Sequence, residues 1–89
     1  MGKHESYEAT VARLSRVVDK ASAKHEATLA KAKAAQLAWE ARQTPANTAR
    51  RGKWARREDR AWAAWEVASA RLSGYQDGWL AGWEERGAK

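Results

Sequence analysis

A single proline divides the chain into two stretches that favour helix. The chain has 89 residues and one proline, Pro45, and residues 6–43 contain neither proline nor glycine. Alanine, lysine, glutamate, leucine and arginine dominate this first stretch, and all of them have high helix propensity. One helix over about 6–43 would be roughly 55 Å long at ~1.5 Å per residue. So long a helix suits a hairpin or a coiled coil and is too long for the edge of a compact globule.

Apolar and small side chains recur along this stretch in alternating steps of four and three residues. These positions, called the first seam below, are Tyr7, Val11, Leu14, Val18, Ala21, His25, Thr28 or Leu29, Ala32, Ala35 and Trp39. Their spacing is typical of the heptad pattern through which one helix packs on another. Because small side chains fill the middle of the seam, a partner helix is expected to come close there. We interpret His25 as a packing residue, with pH sensing as the alternative.

The dipeptide Thr44-Pro45 predicts where one helix ends and another begins. Threonine is a preferred N-cap residue, and proline is favoured at the first helical position. Asn47 is an alternative N-cap, and Gly52 favours frayed or kinked opening turns. We therefore place the turn at about 44–48 and a second helix at about 49–73.

A second amphipathic pattern follows the turn. The positions that we call the second seam are Trp54, Glu58, Ala61, Trp65, Ala68 and Leu72, again at helical spacing. At Gly74 a helix end and a fresh start are both favoured, since glycine suits a C-terminus and Ser73 and Gln76 are spaced as a capping box. We predict a break near Gly74 and a short helix over about 75–86, with one continuous helix as the alternative.

Together these patterns predict a single all-α domain over residues 1–89. We expect a long antiparallel helical hairpin, coiled-coil-like, with a short third helical segment at the C-terminus. A chain of 89 residues buries a small fraction of its surface. Self-association into a homo-oligomer, or a protein partner, is therefore expected to complete the core.

The composition argues against most chemistry. The chain has no cysteine and only two histidines, which is too few for a zinc site. It contains no phosphate-binding glycine loop and no local arrangement of serine, histidine and aspartate. We predict no enzymatic activity, no cofactor, no metal and no small-molecule substrate.

The sequence also bears on location. No apolar run approaches the ~18 residues of a membrane span, and the N-terminus lacks the apolar core of a signal peptide. The composition, rich in alanine, arginine and tryptophan, is typical of bacterial and bacteriophage genomes of high GC content. We expect an intracellular protein, in the cytoplasm of a bacterial host or associated with a virion.

Tryptophan provides the first candidate site. Five of the six tryptophans fall in the second half of the chain, and tryptophan is enriched where proteins anchor onto one another. Three glycines four residues apart are expected to share one helical face beside Trp79 and Trp83, where a partner helix could approach closely. The predicted protein-binding residues are Trp62, Trp65, Trp79, Trp83, Gly74, Gly78 and Gly82.

Basic residues provide the second candidate site. The net charge is +6, and four cations at steps of three and four residues share one face of the second helix. This alternative, nucleic-acid-binding set is Arg50, Lys53, Trp54, Arg57 and Arg60. Such a row can follow a phosphate backbone while a tryptophan stacks on a base, although arginine also packs on tryptophan within one protein.

The function that the sequence favours is a non-enzymatic protein-binding or assembly module that presents a tryptophan and arginine surface. A small structural or host-modulating protein of the bacteriophage type would fit. The alternative is a basic protein that binds nucleic acid with low sequence specificity.

Overall fold

Two long helices make up the part of the chain that the structure describes. The computed structural model describes the backbone of residues 6–87 and the side chains of residues 6–80. Within residues 6–87 there is no strand, and the elements are α1 (Tyr7–Ala41) and α2 (Pro45–Gly87). The two helices pack against each other as a hairpin. The all-α class is confirmed.

Side-chain and backbone hydrogen bonds define the ends of α1. At the N-terminus, Ser6 Oγ accepts a hydrogen bond from the Ala9 amide at 3.1 Å, which satisfies one of the free amides of the first turn. At the C-terminus, Asn47 Nδ2 donates to the carbonyl oxygens of Ala38 at 3.3 Å and Arg42 at 2.9 Å. The carbonyls at the end of α1 thus gain donors from α2.

The start of α2 confirms the interpretation of Thr44-Pro45. Thr44 Oγ1 accepts from the Asn47 amide at 3.1 Å, so Thr44 is the N-cap, and Pro45 is the first helical residue. Residues 42–44 alone make the connection. The predicted start at residue 49 is wrong by four residues. Asn47 and Thr48 already belong to the first turn of α2, where their side chains donate hydrogen bonds to the carbonyl oxygens of Arg42 and Thr44.

Helix α2 continues through Gly74 without a break. The predicted end at residue 73 and the separate helix over 75–86 are wrong, and the continuous alternative is found. Each glycine inside a helix costs about 1 kcal/mol relative to alanine. Beyond Gly74, Tyr7 contacts Tyr75 and Trp79, with ring centroids 5.8 and 4.4 Å apart. We attribute the continuity to this aromatic packing on α1, which offsets the weak local propensity.

Contacts between distant residues show that α2 folds back along α1. Tyr7 at the start of α1 contacts Trp79, His25 contacts Glu58 near the middle, and Trp39 donates to Thr48 beside the turn at 3.1 Å. The hairpin is elongated, with principal extents of 67 × 26 × 14 Å. Its smallest dimension is close to the diameter of one helix, so both faces of the pair are open.

The core of the hairpin is built from small side chains. Every first-seam position is buried or half-buried, and so is every second-seam position. The buried apolar residues among those described are Ala35, Ala61 and Ala68, and the buried polar ones are Thr10 and Thr28. Leu14 and Val18 are only half-buried. The close approach predicted for the middle of the seam is therefore made by alanine and threonine, and no large described side chain is fully enclosed.

Candidate functional site

A basic groove runs between the two helices. It has a volume of about 520 Å³. Its polar and aromatic lining, which defines the basic groove below, is Lys24, Lys31, Trp54, Arg57 and Arg60. Small residues complete the lining, namely Ala21, Ala27, Thr28, Ala61 and Ala64. The two lysines come from α1 and the two arginines from α2, so the groove exists only because the hairpin closes.

Cations surround the indole of Trp54. The Lys31 and Lys53 ammonium nitrogens lie 5.1 and 5.8 Å from the ring centroid, and the Arg57 guanidinium carbon lies 4.8 Å from it. These distances are in the range of cation–π attraction. The indole is thus engaged within the protein, which is the intramolecular packing that the sequence left as an alternative to base stacking.

The structure brings together part of the predicted basic row and adds residues to it. Trp54, Arg57 and Arg60 line the groove, and Lys53 reaches Trp54. Arg50 is exposed and is not part of the lining. Lys24 and Lys31 were missed by the sequence analysis. Their sequence positions do place them near the interface between the helices, because each lysine directly precedes a first-seam residue. Those positions do not reveal which residues of α2 the two lysines lie beside.

The cations of the basic groove form no ion pair with a carboxylate in the described part of the chain. Glu58 instead lies 2.9 Å from His25. Lys24, Lys31, Arg57 and Arg60 have no such carboxylate partner within that described part of the chain. A groove lined by four cations that make no direct ion pair with a described residue favours an anionic ligand.

A histidine–glutamate contact links the two helices at mid-length. His25 Nε2 and Glu58 Oε1 are 2.9 Å apart and partly buried, and the His25 ring lies 5.2 Å from Trp62. The sequence analysis placed His25 in the first seam as a packing residue and Glu58 in the second seam, without pairing them. The structure makes them partners, so a protonated His25 would face a carboxylate.

The tryptophans predicted to bind a partner are engaged to different degrees. Trp65 is half-buried and packs against Trp62, with ring centroids 5.0 Å apart. Trp79 contacts Tyr7 across the hairpin. Trp62 remains 45% exposed. The side chain of Trp83 lies outside the described residues.

Gly74 and Gly78 lie on another side of α2 from Trp79. With ~100° between successive residues of a helix, Trp79 is rotated by about 140° from Gly74 and 100° from Gly78. Both glycines are exposed, and a Cβ atom built on either would meet nothing within 4 Å. Gly82 is half-buried. Space for a close approach therefore exists at Gly74 and Gly78, but Trp79 does not border it as the sequence suggested.

Large apolar side chains are also exposed on the solvent-facing half of α2. Trp62, Val67 and Leu80 are 45%, 51% and 49% exposed. Val67 lies beside Gly74 and Gly78, whereas Trp62 and Leu80 lie about 120–160° around the helix from them. Small residues and the exposed Glu66 and Asp77 lie between. The surface called the outer face of α2 below consists of Trp62, Ala63, Val67, Ala70, Gly74, Gly78 and Leu80, all exposed.

The described residues contain no group of three or more histidine, cysteine, aspartate or glutamate side chains that could hold a metal ion. In the same part of the chain, no helix is both long and apolar enough to cross a membrane. No family model matches the chain, and comparisons with curated proteins and with solved structures give no significant match.

Proposed function

We propose that this protein is a non-enzymatic assembly module, in which an antiparallel, coiled-coil-like hairpin associates with a second copy of itself through the outer face of α2. The observation that carries the proposal is the amount of surface that one hairpin leaves exposed. A two-helix layer buries only one stripe of each helix, and stable domains cover such layers with a second one.

The exposed area is larger than a compact protein of this mass would have. The hairpin has 6839 Å² of accessible surface, whereas a folded monomer of this mass is expected to have about 5,200 Å². The difference is roughly 1,600 Å². A standard protein interface buries about 800 Å² per partner. The hairpin therefore has ample surface for a stable contact with a second copy.

The outer face of α2 is the best-suited surface for that contact. It includes Gly74 and Gly78, where a Cβ atom would meet nothing within 4 Å, with the exposed Val67 beside them and the exposed Trp62 and Leu80 at its margin. Small residues allow helices to approach closely, and large ones nearby supply apolar area. A second copy presents the same surface, so a two-fold contact satisfies both partners at once.

The substitution Gly74→Glu separates association from folding. Because a new Cβ meets nothing within 4 Å, the hairpin should keep or slightly raise its helicity. A carboxylate at the centre of the contact should instead prevent association, since it would be buried without a partner. Sedimentation velocity over a concentration series should show an associated wild type and a monomeric variant.

Leu37→Glu is the matched control. Leu37 lies on α1, outside the outer face of α2, and is 65% exposed. Leu37→Glu therefore removes more exposed apolar surface than Gly74→Glu does, and it adds the same charge. It should associate as the wild type does. The proposal fails if the wild type stays monomeric throughout the series, or if Gly74→Glu and Leu37→Glu associate equally.

A further inference from the structure

We propose that the basic groove binds the phosphate backbone of single-stranded nucleic acid without reading its base sequence. This goes beyond self-association and uses a different surface, since its residues are Lys24, Lys31, Trp54, Arg57 and Arg60 between the helices. The outer face of α2 contributes no residue to it.

The arrangement of charge points to a linear polyanion. Lys24 and Lys31 are two helical turns apart, about 10 Å along α1, and Arg57 and Arg60 line the groove from α2. Lys31 and Arg57 meet at Trp54, and Lys24 and Arg60 extend the positive charge along both sides of the groove. A strand of successive phosphates can contact both sides, and each contact releases condensed counterions.

Small side chains make up half of the groove lining. They are alanines and one threonine, and the one large uncharged side chain of the lining is Trp54, whose indole lies near Lys31 and Arg57. We expect a single strand to enter this groove of about 520 Å³. A duplex presents a broad convex surface and can reach only the rim, so we expect it to bind more weakly.

The state of Trp54 predicts low sequence specificity. Lys31, Lys53 and Arg57 already lie near its ring, so a base could stack there only after displacing cations. Contacts from lysine and arginine to phosphates position a strand and carry no sequence information directly. Affinity for oligonucleotides of equal length should therefore vary little with base sequence.

The decisive variant is Lys24→Gln combined with Lys31→Gln. Both lysines are exposed, so the core is untouched. Binding of a fluorescently labelled oligothymidylate would be followed by anisotropy at several salt concentrations. If both lysines contact phosphates, the slope of log affinity against log salt should fall by about 1.4, at about 0.7 per phosphate contact for a single strand. We expect affinity at low salt to fall at least tenfold.

The matched control is Lys33→Gln combined with Arg56→Gln. It removes the same two charges from exposed positions that do not line the basic groove. Circular dichroism would verify that both double variants remain helical. The control should retain most of the wild-type slope and affinity. An equal loss in both double variants would mean that only net charge matters, and would overturn the groove assignment.

Three further arms complete the test. Polyglutamate of similar charge should compete weakly, and equal binding of polyglutamate would indicate an acidic protein ligand instead. A duplex that binds more tightly than the single strand would also contradict the proposal, as would absence of oligothymidylate binding at low salt. Gly74→Glu should bind the oligonucleotide through an intact groove, so failure of self-association and failure of this proposal remain distinguishable.

Discussion

Ala35→Leu is expected to lower the free energy of unfolding by about 1–3 kcal/mol. Ala35 is the most enclosed apolar residue among those that the structure describes, at 3% exposure. It lies where small side chains let the helices approach. A leucine there cannot be accommodated without an unfavourable rotamer or separation of the helices, and separation would loosen the neighbouring seam contacts.

The adjacent residue supplies the control for this substitution. Ala34 is exposed on the same helix, so Ala34→Leu makes the same chemical change with little effect on packing, within about 0.5 kcal/mol. Urea unfolding of the two variants at one protein concentration would compare them. Equal midpoints would show that the helices are not closely packed at Ala35.

Tyr7→Ala is expected to cost about 2 kcal/mol, because two aromatic pairs are lost together with the apolar area that they bury. Tyr7 stacks on Tyr75 at an interplanar angle of 22°, and the ring centroids of Tyr7 and Trp79 are 4.4 Å apart. It is the contact that holds the end of α2 beyond Gly74 against α1. Without it, the helical propensity of the segment containing Gly74 and Gly78 no longer has tertiary support.

Amide hydrogen exchange distinguishes this local role from a general one. In Tyr7→Ala, amides around 75–80 should exchange faster, while those near the turn at Asn47 should change little. Tyr7→Phe keeps the ring and should behave nearly as the wild type. Uniform acceleration along α2, or none, would contradict an aromatic clamp at this end.

Local sequence signals predicted the helical hairpin well because its main determinants are local. Thr44 and Pro45 specify a helix start through an N-cap oxygen and a fixed backbone angle, and both lie where predicted. The two seams follow from helical periodicity. Every seam position is buried or half-buried.

The errors arose where distant residues decide the outcome. Gly74 favours a helix end by propensity, but Tyr7, far away in sequence, contacts the residues that follow it. The pairing of His25 with Glu58 likewise depends on the register between the helices. Periodicity within one helix carries no information on that register.

In the candidate sites too, local spacing predicted some residues and only the packing of the two helices reveals the others. The row containing Arg57 and Arg60 could be read from spacing along α2, whereas the contribution of Lys24 and Lys31 requires the position of α1 beside it. Spacing also placed the glycines beside Trp79, but Trp79 turns toward Tyr7 and the glycines remain open. The hairpin thus separates a basic groove from an apolar outer face.

The most direct test of the central claim, that the hairpin is completed by a second copy, is thermal unfolding of the wild type at increasing protein concentration. Association of the folded state makes Tm depend on concentration by mass action. We predict that Tm rises with concentration, together with a solution mass by light scattering that is a multiple of 9.9 kDa. A constant Tm and a monomer mass at every concentration would contradict the account.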